Sequence, residues 1–217
     1  MNGGVVQILA QSHLFCFVRN NVPDCSQKVM LEKVAEGSYG FKPDPRMFRT
    51  HYRSGVVYAA KERQMPLLLI QNCTLGGANG NCGRYTFLFE YDRAADQFQL
   101  VFWNVTGRNH NQRTRFVESE PLQGSVIVNE PTENAPFTYF IEVFQRKPGG
   151  DYARVLHYRG KTRYGGENRM EVVDSEMLEI MKRMGLWKTG DALPVPPRMP
   201  TGCRVIEERK GELWCRP

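Results

Sequence analysis

The sequence of 217 residues lacks several features that would place it in a special class of protein. It has no apolar run near the roughly 18 residues that a membrane-spanning helix needs, so no membrane span is predicted. It has no block of five or more like charges, which are typical of disordered interaction tails. It does have 41% apolar and 24% charged residues, a balance that indicates a globular chain with a sizeable core.

Motifs that would assign a chemistry are also missing. The chain has no G-x-S-x-G nucleophile elbow, no H-E-x-x-H zinc motif and no EF-hand loop. Cysteine pairs of the C-x2-C type, which tetrahedral zinc sites use, do not occur. The sequence therefore predicts no catalytic residue, no metal ligand and no cofactor. Whether the protein is an enzyme stays open, with a non-enzymatic role favoured.

Six cysteines are present, and they fall into three close pairs. Six cysteines allow fifteen connectivities, and bridging within each close pair is the simplest, because each pair brackets a turn. Disulfides form in the periplasm and outside the cell, so the expected location is periplasmic or extracellular. Six reduced thiols in a cytosolic protein are the alternative. The predicted bridges are Cys16–Cys25, Cys73–Cys82 and Cys203–Cys215.

The first residues do not have the pattern of a secretory signal. The apolar stretch at 5–10 is too short and too polar in its flanks for the hydrophobic region of a signal peptide. No clean cleavage site follows it. If the protein is exported, we expect a native signal to have been removed ahead of residue 1.

Short strands separated by regular turns predict a mainly β fold, either an antiparallel sandwich or an open barrel. Two aromatic-rich hairpins, at 84–103 and 137–157, are the clearest signals. One or two further strands are expected within residues 5–18. The other predicted strands are residues 56–60, 65–71, 114–118, 124–129 and 169–173.

Two short α-helices are predicted among the strands. The first covers residues 26–36. The second begins at Asp174 or Ser175 and stops at Gly185, with acidic residues early and basic residues late, as the helix dipole favours. Three methionines repeat along one stripe of this helix, and we expect them to pack in the core. They are Met177, Met181 and Met184.

The domain organisation is predicted from one Pro-rich stretch. Residues 189–202 contain four prolines and are expected to form an extended connector. Residues 1–188 then form a single β-rich domain. Residues 203–217 form a small cystine-closed hairpin that turns at Lys210 and Gly211 and packs on the main domain.

The most polar and basic loop of the chain, at 106–115, is the first candidate for partner binding. Arginine binds carboxylates bidentately, so this loop suits a protein partner with an acidic surface. The net charge of +6 is spread along the chain and does not indicate nucleic-acid binding. The candidate contact residues are Arg108, His110, Arg113 and Arg115.

A second candidate is the pentapeptide Ser-Gly-Val-Val-Tyr from Ser54 to Tyr58. Its pattern, Ser-Gly-x-x-Tyr, resembles the loop motif of bacterial periplasmic lysozyme inhibitors, which insert that loop into a lysozyme cleft. The resemblance covers five residues, and the chain length and cysteine layout differ from that family. It implies partner-binding roles for Ser54 and Tyr58; the start of a plain strand is the alternative.

Together these features favour a non-enzymatic binding protein of a bacterial envelope, an inhibitor or immunity protein that blocks a toxin or a cell-wall hydrolase. The oligomeric state stays open. The competing interpretation is a secreted or periplasmic hydrolase that assembles His51, His110 and loop carboxylates, since such sites are recognised by geometry and not by sequence order. The loop carboxylates are Glu118, Glu120, Glu130 and Glu133.

Overall fold

The computed structural model of the chain describes residues 17–19, 22–24, 52–58, 67–73, 83–92, 94–95, 97–107 and 111–217. Within them the chain forms twelve strands and one α-helix, so the mainly β prediction is confirmed. The choice between a sandwich and a barrel stays a prediction, and the helix predicted at 26–36 lies outside the described residues. No helix in these ranges is long and apolar enough to span a membrane.

The chain divides into two compact units, Met1–Val105 and Thr106–Pro217. Each unit is described by itself below. The domain limits predicted at residues 188 and 202 stay predictions.

The first unit contains a four-stranded sheet of order β3-β4-β5-β6 and a pair of short strands, β1 and β2. Alternate residues of β4 and β5 form an apolar cluster on one face of the sheet, because side chains alternate along a strand, and Leu88 on the other face is buried too. Leu68 pairs with Phe89 and Ile70 with Phe87, and all four side chains are buried. The strands are β1 Phe17–Arg19, β2 Val22–Asp24, β3 Tyr52–Tyr58, β4 Leu67–Cys73, β5 Arg84–Asp92 and β6 Gln97–Thr106.

The second unit contains a four-stranded antiparallel sheet of order β10-β9-β8-β7, one helix and a C-terminal hairpin. Both strands of the hairpin predicted at 137–157 are confirmed within about two residues. The elements are β7 Arg113–Phe116, β8 Val126–Pro131, β9 Tyr139–Arg146, β10 Tyr152–Arg159, α1 Val172–Arg183, β11 Val205–Arg209 and β12 Glu212–Arg216.

Helix α1 packs on one face of this sheet and builds the main core of the unit. Ile127, Ile141 and Val143 from the sheet meet Val173 and Ile180 from the helix, all of them buried. The methionine stripe of the helix packs against the same cluster, as predicted from its spacing. Because side chains alternate along a strand, the residues between these core positions face away from the helix.

The start of helix α1 differs from the prediction. The helix begins at Val172 after the N-cap residue Glu171, so the strand predicted at 169–173 is wrong. The predicted caps are used in tertiary contacts. Asp174 pairs with Arg115, and the Ser175 hydroxyl lies 3.0 Å from the hydroxyl of Thr162. Tertiary contacts have therefore outweighed the local capping preference of these residues.

A buried carboxylate ties helix α1 to the end of β10. Glu176 accepts hydrogen bonds from the backbone N–H groups of Lys161 (2.7 Å) and Thr162 (2.8 Å). It also accepts from the hydroxyls of Thr162 (2.9 Å) and Tyr158 (3.0 Å). Gly160 allows this approach, since a Cβ there would lie 2.6 Å from a Glu176 oxygen. The charge is thus buried with its acceptor sites satisfied.

The C-terminal hairpin has the predicted bridge and the predicted turn. Cys203 and Cys215 are bonded, with their Cα atoms 5.4 Å apart. Lys210 and Gly211 both have positive φ, at 54° and 89°, the geometry of a two-residue hairpin turn. Leu213 and Cys215 pack with Leu178 of the helix. The predicted bridges Cys16–Cys25 and Cys73–Cys82 lie outside the described residues, except for the backbone of Cys73 in β4.

Candidate partner-binding surface

The residues predicted to bind a partner are only partly covered by the described ranges. Arg108 and His110 lie outside them. Ser54 and Tyr58 lie in β3, where their backbones pair with Gln71 and Leu67 of β4. The pentapeptide therefore forms a paired strand, and the partner-binding role inferred from the lysozyme-inhibitor resemblance stays a prediction.

Arg113 and Arg115 lie on β7 and reach the start of helix α1. The Nη2 atom of Arg115 lies 2.5 Å from Glu171 Oε2 and 3.1 Å from Asp174 Oδ2, and its Nη1 atom also pairs with Asp174. The side chains of Arg115 and Asp174 are only 14% and 7% exposed. Arg113 pairs with Glu171, and these two side chains are 44% and 48% exposed.

The charges around Arg115 indicate that this side chain has a structural role. Burial lowers the pKa of Arg115, but its bonds and charge attraction to Asp174 and Glu171 outweigh burial and raise the pKa. Arg115 thus stays charged and ties β7 to the acidic first turn of the helix. Arg113 keeps the larger exposed fraction of the two. Their contact with a partner stays a prediction.

The sheet face that points away from helix α1 brings together residues from three strands. The register pairs Glu130 of β8 with Phe140 of β9, and Glu142 of β9 with His157 of β10. One oxygen of Glu142 lies 2.6 Å from Arg154 Nη1 and 3.2 Å from His157 Nδ1. The rings of Phe140 and His157 stack with centroids 5.6 Å apart.

Glu130 was predicted to lie in a loop, but it lies in strand β8, and it is the one carboxylate of the hydrolase interpretation that this face gathers with other titratable groups. Burial, and then the negative charge of Glu142, raise the pKa of Glu130 to about 7. Glu118, Glu120 and Glu133 are exposed, and His51 lies outside the described residues. Within the part of the chain that the structure describes, no three His, Cys, Asp or Glu residues are arranged to hold a metal ion.

Next to this face, exposed cations follow the outermost strand, β10, and the loop after it. The sequence carries no acidic residue between Asp151 and Glu167, but four Lys or Arg residues. All four side chains are exposed. We call this set the basic edge: Arg154, Arg159, Lys161 and Arg163.

The basic edge was not predicted from the sequence, because basic and polar residues are more concentrated in the loop at 106–115. The absence of acidic residues over 152–166 was a usable signal. The position of β10 at the edge of the sheet depends on the strand order, which the sequence does not show. The contact between Glu142 and His157 was also not predicted, because it depends on the register between β9 and β10.

Comparison with known proteins adds no assignment. No family model matches the chain, and searches of curated proteins and of solved structures find no significant match.

Proposed function

We propose that the protein is a non-enzymatic binding protein of a bacterial envelope, an inhibitor or immunity protein that blocks a toxin or a cell-wall hydrolase by protein–protein contact. The observation that carries the proposal is the basic edge beside an exposed aromatic side chain, Phe140. The Cys203–Cys215 bridge supports a periplasmic or extracellular location, because disulfides persist in oxidising compartments.

The chemistry of the basic edge favours an acidic partner. Three of its four cations are arginines, whose planar guanidinium groups bind carboxylates through two parallel hydrogen bonds. Arg159 donates to the Thr138 hydroxyl at 2.7 Å, and Arg163 has no ion pair among the described residues. Both arginines thus keep their charge available to a partner's carboxylates.

Contact through side chains fits β10 better than addition of a partner strand. The register of β10 shifts between Arg154 and Leu156, where one extra residue bulges. A bulge and a row of charges are the usual devices that prevent pairing at an exposed sheet edge. Phe140 and Val155, both exposed, supply the apolar area that a protein interface needs at its centre.

The test is a binding series with purified secreted toxins and cell-wall hydrolases that have acidic surfaces. We expect a stoichiometric complex that inhibits the bound enzyme. The double variant R159A/R163A should weaken the complex about tenfold and flatten its salt dependence, because exposed interface charges act on association and salt response. The charge-matched control K147A/K188A removes two exposed cations elsewhere in the unit and should bind like wild type. Equal binding by both variants would contradict the proposal.

A secreted or periplasmic hydrolase is the second candidate, and the sheet face with Glu130, Glu142 and His157 favours it. Glu130, with a pKa of about 7, and His157, held by Glu142, lie on the same sheet face on either side of β9, and both are types of group that general acid–base catalysis uses. Chromogenic ester, phosphodiester and glycoside substrates test this reading. Turnover that is lost in both E130Q and H157Q, and retained in R159A/R163A, would support the hydrolase over the binding protein.

A further inference from the structure

The sheet face that points away from helix α1 is continuous with the basic edge. Directly opposed residues of an antiparallel sheet point to the same face, and they form rows across the strands. In one row Phe140 lies between Glu130 and Arg159. Glu142 and His157 form the next row. An arginine of the basic edge therefore shares this face with two carboxyl groups and an imidazole.

Glu142 holds two neighbouring groups in place on this face. One of its oxygens lies 2.6 Å from Arg154 Nη1, in the third row, and 3.2 Å from His157 Nδ1. The other side of the imidazole is fixed by stacking on Phe140. The side chains of Arg154 and His157 are still 52% and 46% exposed. Any charge on His157 is thus presented to a partner bound at the basic edge.

One further charged residue of strands β7 to β10 lies on this face. Arg146 is at the far end of β9, where its Nε atom donates to the carbonyl of Gly150 at 3.0 Å. The other opposed positions of the face in these strands carry no charge, so they do not oppose a change of charge at Glu130 or His157. They are Thr114, Phe116, Val126, Val128, Phe144 and Tyr152.

We propose that this face is a charge switch: Glu130 and His157 both take up a proton as the pH falls from about 8 to about 5.5, and the complex of the basic edge with an acidic protein tightens. Each step adds one positive charge, because Glu130 becomes neutral and His157 becomes a cation. The inference rests on the proposed function, since it concerns the acidic partner that the basic edge is proposed to bind.

Two observations support proton uptake in this range. Burial, and then the charge of Glu142, raise the pKa of Glu130 to about 7. Histidine is the side chain that ordinarily changes its charge between about pH 5 and pH 8. The carboxylates of a partner stay ionised over most of this range, so attraction to the face should increase. At roughly 7 Å in water, one unit charge changes an affinity about twofold to threefold.

The test uses the whole protein and poly-L-aspartate as the acidic probe, at constant ionic strength. Wild type should bind the probe about fivefold more tightly at pH 5.5 than at pH 8, after subtraction of the change seen in E130Q/H157Q. The double variant cannot make either charge change, and it keeps the other three histidines, whose contribution therefore cancels. Each single variant should lose part of the effect. E133Q, at an exposed glutamate outside the face, should behave like wild type.

Wild type alone gives a second readout that needs no variant. Binding and protonation are linked reciprocally, so saturating poly-L-aspartate should raise the NMR titration midpoints of the Glu130 carboxyl carbon and of the His157 ring carbons. Equal pH dependence in wild type and E130Q/H157Q, unmoved midpoints, or no binding at either pH would overturn the inference.

The variant R159A/R163A separates this inference from the proposed function. It should bind the probe more weakly at both pH values and keep the same ratio between them, because Glu130 and His157 are unchanged. If it binds like wild type while the ratio persists, the basic edge is not the binding surface and the proposed function fails, although the charge switch stands. If it binds weakly and wild type shows no ratio, the basic edge stands and the switch fails.

Discussion

Gly160 occupies a position where any side chain would collide with the carboxylate of Glu176. The backbone there runs against the buried carboxylate of Glu176, which receives hydrogen bonds from Tyr158, Lys161 and Thr162. Burial, and the charge of Glu176 beside it, raise the pKa of Tyr158, so this hydroxyl remains a donor at ordinary pH. The contact links the end of β10 to helix α1.

Gly160→Ala should therefore destabilise the protein by about 1–3 kcal/mol, the usual effect of overpacking a filled interior. Urea unfolding measures the change. Glu176→Asp shortens the acid and makes room for the new methyl group. The double variant should lose less stability than the two single variants together, as expected for residues in contact. Additive losses would mean that the methyl group and the carboxylate do not meet.

Glu130 should make stability depend on pH. Its pKa is about 7 in the folded protein against an ordinary value of 4.5, because burial and then the charge of Glu142 favour the protonated form. The folded state therefore holds its proton more tightly than the unfolded state. This stabilisation is complete below about pH 4.5 and is lost as the pH rises through 7. At about 1.4 kcal/mol per pKa unit, and discounted for partial exposure, it amounts to about 1–3 kcal/mol.

Glu130→Gln should remove this dependence. Between pH 5 and pH 8 the unfolding free energy of the variant should fall less than that of wild type, and at pH 8 the variant should be the more stable protein. Glu133→Gln, at an exposed position, is the matched control and should follow wild type. Parallel pH profiles for wild type and Glu130→Gln would contradict the shifted pKa.

Strand β7 is tied to helix α1 by two arginines of very different burial. Arg115→Ala leaves Asp174 buried without its partner and should cost about 2–3 kcal/mol. Arg113→Ala breaks an exposed pair and should cost less than about 1 kcal/mol. Thermal and urea unfolding of the two variants give the comparison. A larger loss from Arg113→Ala would reverse the roles assigned to the pair.

At the scale of elements, regular patterns made the fold predictable. The β9–β10 hairpin was predicted from two strand-forming stretches around a Pro-Gly-Gly turn, and the Cys203–Cys215 hairpin from its Lys210–Gly211 turn. The helix was recognised but begins before the predicted cap, because Asp174 and Ser175 are used by Arg115 and Thr162. Such long-range contacts leave no local signal.

The candidate surface was less predictable for a related reason. Glu130, Glu142 and His157 meet only through the register of three strands, and a shift of one residue would send any of them to the other face. The basic edge depends on two features. The sequence shows one of them, the stretch without acidic residues, but it does not show the other, the position of β10 at the edge of the sheet.

The whole molecule consists of two compact units, and the second has its own core. The cluster between the sheet and helix α1, and the cluster between the helix and the C-terminal hairpin, both lie within residues 106–217. We therefore expect a fragment of residues 106–217 to fold alone, with cooperative thermal unfolding by circular dichroism and no free thiol at Cys203 or Cys215. Gradual, non-cooperative melting of the fragment would show that its stability depends on the first unit.

The contact between Gly160 and Glu176 also constrains how this sequence diverges. A larger residue at position 160 is compatible only with a shorter one at position 176, so substitutions at the two positions should occur together in related chains. Thr162 donates to the same carboxylate through its N–H and its hydroxyl, and should be retained with it. We therefore expect Gly160, Thr162 and Glu176 to be kept or replaced together in related chains.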